Sequence, residues 1–126
     1  MPLPANARVL VAHSLVRDVQ AVHEFLVAQD STSAEHRQAL LLQQLNEARE
    51  QLGWNPALGR PARCMEARSA KGAQLAARVA ALAATHKVPH VRELVLKPYV
   101  LLYAHSDKEV VLLALKHERQ QMFKLE

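Results

Sequence analysis

The chain has 126 residues, half of them apolar and 22% charged, with three glycines and six prolines; that describes one globular domain and excludes disordered, collagen-like and low-complexity classes. The formal charge of +4 is unevenly placed: residues 60–97 carry eight Lys or Arg against two Glu, residues 1–59 four Arg against six acidic residues, and residues 98–126 balance. The basic middle points to a polyanion or an acidic protein as partner, with a merely solvated basic face as the plain alternative.

After Met1-Pro2-Leu3-Pro4, the run Arg8-Val9-Leu10-Val11-Ala12-His13 is rich in apolar and β-branched residues and reads as a strand. Ser14 is a good helix cap, and Leu15, Val19, Val22 and Leu26 then recur at helical spacing. Asp30-Ser31-Thr32-Ser33 interrupts, with Thr32 and Glu35 spaced as a capping box. Leu41, Leu45, Ala48 and Leu52 form the stripe of a second helix, which Gly53 can end. Residues 14–52 are therefore expected to form a helical hairpin.

Residues 53–61 combine turn formers with Trp54 and Leu58 and read as an ordered loop anchored by those two side chains. Residues 65–87 are alanine-rich, with Leu75, Val79 and Leu82 on one side, and Gly72 weakens the first half. A third helix, or a partly helical insertion, is expected from about residue 73. Three strand-like runs follow closely, Val91–Leu96, Tyr99–Ala104 and Val110–Leu115. Connections this short make antiparallel neighbours, so the last third is a meander. The expected fold is α+β: the N-terminal strand and helical hairpin packed on a curved antiparallel sheet that the meander completes, covered on one face by helices.

No phosphate loop, His-Glu-x-x-His or Gly-x-Ser-x-Gly motif is present. His86 and His90 are four apart, but Pro89 opposes a continuous helix and no third ligand is near, so no metal or cofactor is expected. Cys64 stands alone and cannot form an internal disulfide. Aromatics at 4% offer no stacking platform for single strands. No segment resembles a membrane span or signal peptide, so a cytoplasmic protein is expected.

The informative cluster is Tyr103, His105, Lys116, His117, Glu118 and Arg119, together with Arg92, Glu93 and Lys97. If the three strands pair, Arg92, Tyr103 and His117 are expected in one short patch. Histidine titrates near neutrality and suits proton transfer, while arginine and lysine suit a phosphate's developing charge, as metal-free RNA cleavage requires. The same groups suit ion pairing with an acidic partner, and a solvated sheet edge with Tyr103 in the core is the bland alternative.

The order of strand, helical hairpin, Asn55-Pro56-x-Leu58-Gly59-Arg60, Val91-Arg92-Glu93-Leu94, Tyr99-Val100-Leu101-Leu102-Tyr103 and Val111–Gln120 resembles the RelE/ParE superfamily of type II toxin–antitoxin toxins. The likeness spans about residues 6–60 and 90–123, with residues 62–88 an expected insertion. It implies a small bacterial toxin of the kind linked to plasmid stabilisation, neutralised by a cognate antitoxin. RelE-like members cleave mRNA on the ribosome, and ParE-like members poison DNA gyrase. Val100, His117 and Phe123 stand where the cleaving branch usually has a basic residue, an arginine and an aromatic hydroxyl. Arg92-Glu93-Leu94 and His117-Glu118-Arg119 look closer to the ParE-like members.

The resemblance thus leaves three expectations: an mRNA endoribonuclease with His117, Arg92 and Arg119 as catalytic residues, a gyrase inhibitor, or a non-toxic binding module on the same fold. Glu93, Lys97, Tyr103 and Lys116 are the expected target- or antitoxin-binding residues.

Overall fold

A computed structural model describes residues 6–125. In chain order it contains β1 (Arg8–Val11), α1 (His13–Gln29), α2 (Ser31–Trp54), β2 (Arg60–Pro61), a 3₁₀ turn (Arg63–Glu66), α3 (Ala70–Thr85), β3 (His90–Val95), β4 (Tyr99–His105) and β5 (Glu109–His117). The meander and hairpin are as expected, and the fold is α+β. The sheet order is β1-β5-β4-β3-β2. It is mixed rather than wholly antiparallel, because β1 runs parallel to β5 while the other pairs are antiparallel. The hairpin carries the chain from β1 at one edge to β2 at the other, and the return through β3 and β4 brings β5 in beside β1, so the parallel pair is joined by nearly the whole chain.

Helices cover both faces of the sheet, which corrects the expectation of a single covered face. On one face, Leu101, Tyr103, Val110, Leu112 and Leu115 pack with Leu15 of α1 and with Leu41, Leu45, Ala48 and Leu52 of α2. On the other, Val100, Leu102, Ala104, Val111 and Leu113 pack with Leu75, Val79 and Ala83 of α3 and with Phe123 and Leu125. The sequence shows why: β4 and β5 are apolar at both odd and even positions, and alternating side chains then make two hydrophobic faces.

A bulge lies in β5, where Tyr103 faces Leu112 and Leu102 faces Ala114, leaving Leu113 without a partner. Two side chains of α1 answer it. The Ser14 hydroxyl donates to the Leu113 carbonyl at 2.5 Å, and the Asp18 carboxylate accepts from the Leu115 N–H at 2.9 Å. Ser14 therefore does not cap α1; Ala12 occupies that position. Burial pushes the Asp18 carboxyl upward, against the lowering effect of the Leu115 N–H.

The cap of α2 is Asp30, not a Thr32/Glu35 box: its side chain accepts from the Thr32 N–H and from both the Thr32 and Ser33 hydroxyls. These bonds hold the Asp30 carboxyl below the usual range. Gly53 does not end α2, which runs to Trp54; its carbonyl accepts from the Ala7 N–H at 2.8 Å and ties the helix end to the start of β1. Trp54 and Leu58 are exposed and do not anchor the following loop. Gly72 likewise has a positive use, since a Cβ there would collide with the Cβ of Ala67 just before α3.

Candidate functional site

Strand alternation scatters the residues singled out from the sequence. Arg92 and Glu93, or Lys116 and His117, are adjacent in the chain and project to opposite faces of the sheet. Arg92 pairs with Tyr103, but His117 pairs with Tyr99, four residues away along β4 and so ~13 Å distant. The expected single patch of Arg92, Tyr103 and His117 is not formed. The residues occupy three separate places.

The first is a lock behind the loop before β2. Tyr103 has 0% exposure, and its hydroxyl accepts from the Gly59 N–H and donates to the Pro56 carbonyl, both at 2.8 Å. Arg92 donates through Nη1 to the Gly59 carbonyl at 2.9 Å and through Nε to His105 Nε2 at 3.0 Å. Because Nε2 accepts, the ring proton sits on Nδ1, facing the Ser106 carbonyl at 3.0 Å. A Cβ on Gly59 would approach the Glu93 carbonyl oxygen to 2.5 Å and the Tyr103 hydroxyl to 2.8 Å, so glycine is required there. Tyr103 and Arg92 thus spend their polar groups on holding the loop.

Burial lowers the pKa of His105, with His90 and Arg92 acting in the same direction and the Ser106 carbonyl and Asp107 opposing. The His90 ring lies 5.0 Å away and the Tyr103 ring 6.0 Å. A histidine kept neutral in the fold stabilises it fully above the unfolded value of about 6.5, and that stability is lost as pH falls through the lowered folded value. Urea midpoints measured from pH 7.5 to 5 should therefore fall for the wild type and fall less for His105→Gln. Parallel curves for the two proteins would contradict the lock.

The second place is a groove of about 1110 Å³ between the hairpin and the far end of β4–β5. Phe25 of α1 and Leu40 of α2 line it at 64% and 48% exposure. Its charged lining is mixed with a basic excess, Arg37, Lys97, Lys116, Arg119 and Lys124 against Asp18, Glu47 and Glu118, with His117 beside them. Gln44 positions this end by donating to the carbonyls of Leu96 and Lys97 at 2.6 and 2.9 Å. The His117 ring meets Tyr99 edge-on at 5.7 Å, and His117 Nδ1 accepts from the Arg119 N–H at 3.1 Å. Burial raises the Tyr99 phenol.

The third place is a cleft of about 520 Å³ on the α3 face, lined by Arg60, Arg63, Cys64, Glu93, Lys116 and Phe123 among others. Glu93 is 4% exposed, with one carboxylate oxygen 2.6 Å from Arg60 Nε and 4.0 Å from Arg63 Nε. Lys116 Nζ donates to the Gln120 carbonyl at 2.9 Å and lies 5.3 Å from the centre of the Phe123 ring. The Cys64 thiol is pushed up, first by burial and then by Glu93, which makes it a poor nucleophile.

Of the three residues expected to be catalytic, only His117 and Arg119 share a surface; Arg92 is committed to the lock. Of the expected binding residues, Lys97 lies in the groove, Glu93 in the cleft and Tyr103 in the core, while Lys116 borders both groove and cleft. Phe25 and Leu40 were not foreseen; the signal was an aromatic beside, not within, the stripe of Leu15, Val19, Val22 and Leu26. His86 caps α3 and His90 opens β3, so the two do not share a helix.

Among the described residues no helix is long and apolar enough to cross a membrane. The family model described as the ParE toxin of the type II toxin–antitoxin system parDE matches residues 9–122. No curated protein matches the chain in sequence. A solved structure described as the chromosomal ParDE TA system from P. aeruginosa is similar over 88% of this chain and 95% of that one, with a TM-score of 0.56 and 16% identity. At that identity the likeness concerns the fold.

Proposed function

The chain belongs to the ParE toxin family of type II toxin–antitoxin systems, and on that footing we propose that it arrests growth by binding DNA gyrase rather than by cutting RNA. The groove on the hairpin face is the seat of a cognate antitoxin. One observation supports the binding reading above the others: Phe25 and Leu40 stand exposed in a groove whose lining carries five Lys or Arg against three acidic side chains. Exposed apolar groups side by side are a cost unless a partner covers them, and the charged rim adds specificity and faster encounter. An acidic amphipathic segment has the complementary chemistry.

The catalytic reading has less support. General acid–base cleavage needs its proton-transfer groups and phosphate-stabilising cations around one reacting phosphate. Here His117 and Arg119 would act without Arg92, whose guanidinium serves Gly59 and His105.

Induced expression, with mRNA integrity and plasmid supercoiling measured separately, tests the proposal. Growth arrest with altered supercoiling and intact message is the expected result. Codon-spaced message cleavage with normal supercoiling would overturn it in favour of a ribosome-dependent nuclease, and no arrest would favour a non-toxic module.

A further inference from the structure

Of the eight basic residues of 60–97, Arg92 serves the lock, Lys97 the groove and Arg60 and Arg63 the cleft; the other four belong to none of these. Those four lie in the layer on the opposite face, built from the 3₁₀ turn, α3 and the connection to β3. Between Glu66 and Glu93 there is no acidic residue, while Arg68, Lys71, Arg78 and Lys87 all lie in that interval and are exposed. Among the described residues no carboxylate pairs with Arg68, Lys71 or Lys87. Arg78 donates one guanidinium nitrogen to the Leu125 carbonyl at 3.2 Å.

The outward side of α3 has a second property. Its inward side carries Gly72, Leu75, Val79 and Ala83, and the opposite side is Ala73, Ala77, Ala80 and Ala84, all exposed. Beside this alanine face runs a stripe of Lys71, Gln74, Arg78 and Thr85. The helix is thin on its solvent side and flanked by cations without counter-ions. Sixteen residues extend it over ~24 Å, about seven base-pair steps.

From this charge and shape we propose that the α3 face binds duplex DNA, with α3 entering the major groove and Arg68, Lys71, Arg78 and Lys87 on phosphates. The major groove is about 12 Å wide and admits a helix. A protein partner would need apolar or aromatic anchors, and the solvent side of α3 offers only alanine methyls. Single strands would need exposed aromatics for stacking, and α3 has none. Duplex RNA is disfavoured because its major groove is deep and narrow. The inference goes beyond gyrase binding and does not depend on it.

Fluorescence anisotropy of a labelled 20-base-pair DNA duplex with the full chain tests it, with no gyrase present. Expected is a dissociation constant in the range of about 10⁻⁶–10⁻⁴ M at physiological salt. Four phosphate contacts imply a loss on the order of a hundredfold between 50 and 200 mM salt. Arg68→Gln and Lys71→Gln should each make the log–log salt slope shallower by about 0.9. Arg49→Gln on the exposed side of α2 should leave it unchanged, and Ala77→Phe should weaken binding by bulk alone. No binding at 50 mM salt would overturn the proposal. So would equal binding of an RNA duplex, unchanged slopes in the Arg68 and Lys71 variants, unimpaired binding by Ala77→Phe, or displacement by poly-glutamate at equal charge concentration.

Discussion

Tyr103→Ala should destabilise the protein by about 3–5 kcal/mol, read from chemical unfolding. The side chain is fully buried between the sheet and α2, so its removal leaves a cavity among Leu41, Leu52, Leu101 and Leu112. It also strands the Gly59 N–H and Pro56 carbonyl, which its hydroxyl satisfies. Tyr103→Phe separates the two effects: it keeps the packing and should cost about 1–3 kcal/mol for the unsatisfied buried donor. Against a typical domain stability of about 5–15 kcal/mol, the alanine variant should be marginal. A loss near zero for Tyr103→Phe would mean that the loop before β2 is not held by the phenol.

Phe25→Asp should reduce antitoxin affinity by more than about 2 kcal/mol, roughly thirtyfold, while leaving the fold intact. Phe25 is 64% exposed, so the free protein loses little packing. A carboxylate in its place would face the acidic segment proposed for the groove. The loss should appear mainly in the dissociation rate, because buried anchors govern how long a complex lasts. Arg119→Glu on the rim should instead slow association and weaken its salt dependence. Titration with a purified cognate antitoxin measures both. Unchanged affinity in Phe25→Asp would move the antitoxin off this groove.

The elements were legible where one physical signal dominated. Leu41, Leu45, Ala48 and Leu52 predict α2, and all four are buried. The short connections at Lys97-Pro98 and Ser106–Lys108 predict the meander. Helix starts were less legible, since Ser14 and Thr32 have the right chemistry for caps but Ser14 is drawn to a β-bulge and Asp30 outcompetes Thr32. A bulge is invisible in an apolar run such as Val110–Leu115. Two apolar faces were readable in β4 and β5, yet the alanine-rich α3 looked like an insertion rather than the cover of the second face.

The site was legible in kind but not in place. Arginine, histidine and tyrosine near the strand ends suggested one constellation. Register placed Arg92 against Tyr103 and His117 against Tyr99, and alternation sent Glu93 and Lys116 to the other face. Hydrogen-bond partners decided the rest: nothing in the sequence shows that Arg92 would be committed to a loop carbonyl and a buried imidazole.

Growth arrest by gyrase binding, as proposed, leaves His117 dispensable, whereas acid–base cleavage requires it. Supercoiling of relaxed plasmid by purified gyrase, measured against increasing concentrations of the purified toxin and of its His117→Ala variant, tests the proposal most directly. Inhibition by both proteins, relieved by antitoxin, is the predicted result. Full supercoiling at saturating toxin, together with message cleavage on ribosomes that His117→Ala abolishes, would contradict it.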